Sequence, residues 1–154
     1  MGRRGLCRAQ PDVADSGLLD AYLGPSESAR LASLVAEAEA HGISPAPLRS
    51  RAMEGMARGV SASRTVDVAA ALATRLTRAR NALGPAASAA ELSAAAEALL
   101  AGASDSMVAR VRAARAPASA ATALAVLADL AARGVPPAEA ALAVASLSRT
   151  QPDD

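Results

Sequence analysis

Few side chains in this sequence could do acid–base or nucleophilic chemistry. The single histidine, His41, stands four residues after Glu37, a spacing that puts imidazole and carboxylate on one helix face. Such a pair can supply half of a metal site. The remaining ligands would have to be carboxylates, because the one cysteine, Cys7, lies far upstream. The simpler reading of His41 is a solvated imidazole at a helix C-terminus, where the dipole favours its charged form. All 16 basic residues are arginine. P-loop, Schiff-base and Ser-x-x-Lys chemistry are therefore excluded. None of the 10 glycines stands as Gly-x-Gly, which excludes dinucleotide and kinase-type phosphate loops. The stretch from Gly59 to Ser63 lacks the second glycine of a nucleophile elbow. The 15 acidic residues look scattered over solvent-facing positions, with Glu37 and Glu39 on different faces. The expectation is no catalytic residue, no cofactor and no metal.

Arginine is the more promising chemistry. Residues 44–83 carry seven arginines against Glu54 and Asp67. At about 100° per residue, Arg64, Arg75 and Arg78 share a face with Asp67 and Ala71, and Leu72, Leu76 and Leu83 form a core stripe about a quarter turn away. That face suits an anionic partner, nucleic acid or a membrane surface. Against this, Asp67 sits inside the patch, and Tyr22, the chain's only aromatic, lies outside it, so no ring there can stack on a base.

The stretch ARGVSASRTVDV at 57–68 resembles the helix-turn-helix of bacterial repressors in its Gly-Val-Ser turn and the Thr65-Val66 pair. Arg58 and Glu54 stand where that motif has buried residues, and Gly55 replaces its alanine. The Thr-Val pair comes one residue late, which turns Val66 about 100° from the motif's core position.

The elements that must carry these residues are helices. No stretch sustains two-residue alternation with β-branched or aromatic side chains. Alanine, the best helix former, is roughly 30% of the chain, and Phe and Trp are absent. Alanine lets helices approach closely but buries little area, so the core should be thin.

Short helical patterns follow one another. A segment at 17–23 stops at Gly24. A helix from Ser26 to His41 turns Leu31, Leu34, Val35 and Ala38 inward. A second opens with Ser44 and Pro45, with Leu48, Ala52 and Met56 as its stripe. A third runs from Ser61 to about Leu83, stopped by Gly84-Pro85. A fourth starts on the capping box Ser88/Glu91, with Leu92, Ala96, Leu99 and Leu100 on its apolar face. The fifth carries Met107, Val108 and Val111; the sixth Leu124, Leu127 and Leu130; the last Leu142 and Leu147.

Four junctions share one form: Gly42-Ile43-Ser44, Gly59-Val60-Ser61, Gly102-Ala103-Ser104 and Gly134-Val135-Pro136. A glycine stops the helix, an apolar residue clasps back, and Ser or Pro starts the next helix. Residues 36–44 and 96–104 also match weakly at an offset of 60.

The resulting expectation is an all-α array of six or seven helices at 17–150, after an unstructured segment 1–16 and before a tail at 151–154. No transmembrane helix is expected, since the most apolar run, Ala116 to Ala132, is mostly alanine and contains Asp129. MGRRGLCRAQ has the charged beginning of a signal peptide without the apolar run, and Cys7-Arg8-Ala9 before Gln10 has the small-x-small form of a cleavage site. Localisation is cytoplasmic as written, and periplasmic or secreted if translation starts upstream.

GISPAPL, EGMARGVSASR, AAEALLAGAS and VLADLAARGVPPAEA together resemble an uncharacterised group of small Ala/Leu-rich helical bacterial proteins in which Gly-Val-Pro turns recur and a signal peptide precedes the helices. The resemblance implies export and carries no functional residues. The expected role is non-catalytic: structural or protein-interaction, with a protein partner or self-association. The alternative is nucleic-acid binding through the arginine face of helix 61–83.

Overall fold

The computed structural model describes residues 11–150; the readings that concern Cys7, the cleavage-like triplet and the tail at 151–154 lie outside them. Seven helices and no strands occur among the described residues: α1 (Pro11–Ala40), α2 (Ala46–Ala57), α3 (Ala62–Leu83), α4 (Ala89–Leu100), α5 (Asp105–Arg115), α6 (Ala121–Ala132) and α7 (Pro137–Thr150). None is long and apolar enough to cross a membrane.

α1 starts at Pro11, inside the segment expected to be unstructured. The helix bends sharply at Gly24 (φ 73°, ψ 172°), just before Pro25. The stop expected at Gly24 is present, and two helical stretches meet there across a kink.

Each of the four glycine junctions closes with the same pair of hydrogen bonds. At the second, Gly59 N–H donates to Met56 O (3.0 Å) and Val60 N–H to Gly55 O (3.0 Å), with Gly59 at φ 66°. The others repeat this through Ile43 to Ala38 (2.9 Å), Ala103 to Ala98 (2.9 Å) and Val135 to Leu130 (3.0 Å). This is a Schellman motif: a glycine in the left-handed region lets two following N–H groups satisfy carbonyls that the helix end would leave orphaned.

The Gly84 stop is built differently. Its φ is 86° but its ψ is 173°, and Arg80 does the capping. Arg80 Nη1 donates to the carbonyls of Gly84 (3.3 Å), Pro85 (3.0 Å) and Ala87 (3.1 Å), and Nη2 donates to Gly42 O (2.7 Å). One guanidinium thereby joins the α1–α2 and α3–α4 connections.

The helices stack in two rows. The odd-numbered helices pack in succession, α1 on α3, α3 on α5 and α5 on α7; α4 packs along α6, and α2 and α4 both pack on α3. Hairpin α4–α5 thus lies side by side with hairpin α6–α7. The two are related in sequence as well: Leu92, Gly102 and Ala103 recur as Leu124, Gly134 and Val135, an offset of 32 residues that structure makes visible. The larger core cluster runs from Ala38, Ile43 and Leu48 through α3 to α7, around Leu76, Leu92, Val108, Val111, Leu124 and Leu127. A smaller one joins the two halves of α1 to α2 and α3 through Leu19, Leu23, Leu31, Ala52, Val66 and Ala69.

Several apolar side chains stand elsewhere than the helical stripes suggest. Leu100, Leu142 and Leu147 are exposed, and α7 buries Ala140, Ala141, Val144 and Ala145 instead. Val66, placed off the helix-turn-helix core position by its register, is fully buried, because α1 covers that side of α3.

Candidate functional site

Two residues of the arginine face of α3, Arg78 and Asp67, cross-link it to other helices. Arg78 gives Nε and Nη2 to the same oxygen of Asp105 on α5 (3.0 and 2.7 Å). Asp67 accepts from Arg30 of α1 (3.0 Å), and Arg30 also holds Glu27 (2.7 Å). The hydrogen bonds to Asp67 and then Glu27 raise the pKa of Arg30 further above its ordinary value. Arg64 is exposed and has no ion pair among the described residues; Arg75 is half-buried, with its Nε buried and unpartnered. The three arginines do share a side of α3 with Asp67. The charge of Arg78, however, is matched by a carboxylate within the fold.

His41 and Glu37 line a groove of about 320 Å³ between α1 and α3, with Thr74, Thr77 and Arg78 opposite and Ala38, Ala70 and Ala73 on its walls. Both are exposed, and the Thr74 hydroxyl donates to its own helix at Ala70 O (3.1 Å). Among the described residues no three His, Cys, Asp or Glu side chains cluster as a metal site. A second groove, of about 290 Å³, lies in the bend of α1 and is bordered by Glu39 and Arg49.

The turn at 59–61 is an attachment point. The Tyr22 hydroxyl donates to Val60 O and lies 3.0 Å from Thr65 Oγ1. Thr65 is buried against Gly55: a Cβ on Gly55 would stand 2.5 Å from Thr65 Oγ1 and 2.7 Å from its methyl. Gly55 is therefore required by the close approach of α2 to α3. Of the features that distinguish this stretch from a DNA-reading motif, Gly55 seats α2 against α3, and the displaced Thr65-Val66 pair meets α1.

One acidic residue is far from solvent. Glu91 is only 3% exposed, contrary to the expectation that all acids face water. Its Oε2 accepts from Ser88 N–H (2.9 Å) and Oγ (3.1 Å), as the capping box predicts. Its Oε1 accepts from Ala120 N–H at the start of α6 (2.9 Å) and lies 3.7 Å from Arg112 Nε; Arg112 Nη1 in turn donates to Ala118 O (3.1 Å). Burial by itself raises the Glu91 pKa. The Ala120 and Ser88 N–H groups, the Ser88 hydroxyl and the Arg112 charge oppose it and together prevail, leaving the carboxyl below its ordinary value. Local sequence showed the Ser88 half of this junction; the Ala120 half joins residues 29 apart and has no local signal.

Fold and polar placement together define a class: a two-row array of helical hairpins whose buried polar groups join helices. Compared with protein-family models, curated proteins and solved structures, the chain matches none.

Proposed function

We propose that the chain is a non-catalytic helical domain that acts by binding protein. One observation carries this reading. The buried Glu91 and Thr65 and the half-buried Arg80 and Tyr22 make their hydrogen bonds within the fold, while Val126, Leu142 and Leu147 of the α6–α7 hairpin stand out into solvent. Single exposed apolar residues are ordinary, but this hairpin carries three, Val126 on α6, Leu147 on α7 and Leu142 beside the α5–α7 groove, and each is an apolar contact that a protein partner could cover. Tagged chain expressed in its native host and cross-linked before capture should retain a defined partner set. A V126E/L142E variant of unchanged helical content and melting temperature should lose it. Retention of the same set by the variant would contradict the reading.

The alternative, nucleic-acid binding through Arg64, Arg75 and Arg78, draws on the exposure of Arg64 and loses force from the Asp105 pairing of Arg78. Duplex DNA titrated with the chain at low salt tests it, since phosphate neutralisation makes affinity fall steeply as salt rises. Export belongs to the proposal too, from the resemblance of the helical motifs, and is checked by fractionating native cells for the chain.

A further inference from the structure

We infer that the outer edge of the α6–α7 hairpin is a dimer surface that receives the same edge of a second copy of this chain; the inference rests on the protein-binding reading above and names its partner.

The argument begins inside the molecule. Hairpin α4–α5 packs edge-on against α6–α7. On α4 the row Glu91, Ala94, Ala98 turns toward α6, as the bond from Ala120 N–H to Glu91 shows, and Glu91 and Ala98 are buried while Ala94 is half-buried. On α5 the matching row is Val111, Ala114, Arg115, of which Val111 is buried and Ala114 lines a groove with Leu142 and Ala145 of α7. Thirty-two residues on, the equivalent positions are Ala123, Val126 and Leu130 on α6 and Ala143, Ser146 and Leu147 on α7. These are the positions that a further hairpin would cover. Val126 is 45% exposed, Leu147 67% exposed, Ala143 and Ser146 exposed, and Leu130 half-buried. Terminal units of a stacked array commonly carry a polar outer face that ends the stack. Here the outward row keeps the apolar character of an internal one.

The edge is complementary to itself. α6 and α7 are joined by the short turn at Gly134 and run in opposite directions. A two-fold axis parallel to them lays α6 of one copy along α7 of the other at equal height. Val126 and Leu130, large, then meet the partner's Ala143, small; Ala123 meets the partner's Leu147. Arg133 and Glu139 flank the turn on this edge, and the same axis brings Arg133 against the partner's Glu139, twice by symmetry. Arg133 has a 73% exposed side chain and pairs with Asp129 one turn earlier on its own helix (2.8 Å). A polar or acidic edge on another protein would lack this large-on-small and charge match.

Sedimentation velocity on the full 154-residue chain tests the inference, run from about 5 to about 300 µM to span weak homodimer affinities. A concentration-dependent monomer–dimer equilibrium is expected. V126E should raise the dissociation constant at least about 10-fold, as expected for a charge placed at a buried interface centre. R133E and E139R should each weaken the dimer, and the R133E/E139R double variant should recover most of the loss, because only paired charges couple in this way. Unchanged helical content and melting temperature establish that each variant is folded. A chain monomeric throughout the range, or a dimer indifferent to V126E, overturns the inference. The capture experiment above stands apart: a monomeric chain that still holds a different partner through Val126 and Leu142 keeps the protein-binding reading and loses only the second copy.

Discussion

The two ends of the helical stack are finished in different ways. At the N-terminal end the bent α1 folds over α2 and α3: Leu19, Leu23 and Leu31 cover Ala52, Val66 and Ala69, and the chain's one aromatic ties its hydroxyl to the α2–α3 turn. At the C-terminal end α6–α7 is packed on α4–α5 along one side only, and Val126 and Leu147 face solvent. Both ends are built of the same Ala/Leu helices joined by the same glycine turns. The difference lies in what closes the last face; on the proposal above, one end serves stability and the other association. Substitutions at the closed end should destabilise the monomer, and those at the open end should leave its stability nearly untouched.

Gly55→Ala should have the largest effect. The added methyl meets Thr65 at a distance no Cβ tolerates, so α2 and α3 must separate and the α1 dock loosens. A loss of about 2–3 kcal/mol in urea unfolding is expected from overpacking of this kind. Glu91→Gln comes next, at about 2 kcal/mol at neutral pH, since an amide cannot accept at all the sites that the carboxylate fills beside Arg112. The sign of its pH dependence follows from the lowered pKa. Its stabilisation is fully present above the ordinary carboxylate range and is lost as pH falls through the depressed folded value. Wild-type stability should therefore fall on acidification below about pH 5, and Glu91→Gln should flatten that limb, as melting temperatures across pH 3–7 would show. Tyr22→Phe removes one hydroxyl from Val60 O and Thr65 and should cost about 1 kcal/mol. Val126→Ser, at the open end, should change monomer stability by no more than about 0.5 kcal/mol, as an exposed site does. A loss at Val126 as large as that at Tyr22 would erase the distinction between the ends.

What the sequence made legible was local. The four glycine junctions, the start of α3 after Ser61 and the Ser88/Glu91 box depend on neighbours within a few residues, and each forms as the spacing predicts. The start of α2 is one residue late: Pro45 is the N-cap, and Ser44 Oγ accepts from Ala46 N–H (3.3 Å). What stayed hidden was distant. Tyr22 reaches residues 38 and 43 positions on, Arg80 reaches back 38, and Glu91 reaches forward 29. No periodicity encodes those pairings.

Burial was hidden for a different reason. In a chain this rich in alanine, a stripe of leucines is a poor guide to the core: α7 packs inward on alanines and Val144 and turns Leu142 and Leu147 out. The arginine face was legible as a face, and its ties to Asp105 and Arg30 were not, because both partners lie on other helices.

The most direct test of the contrast between the two ends is hydroxyl-radical footprinting of the full chain in dilute and in concentrated solution, read residue by residue. Protection that grows with concentration at Val126, Leu130 and Leu147, and leaves Leu18 and Leu100 as reactive as before, is the predicted result. Protection centred on Leu18 or Leu100, or none on the α6–α7 edge, would contradict the account.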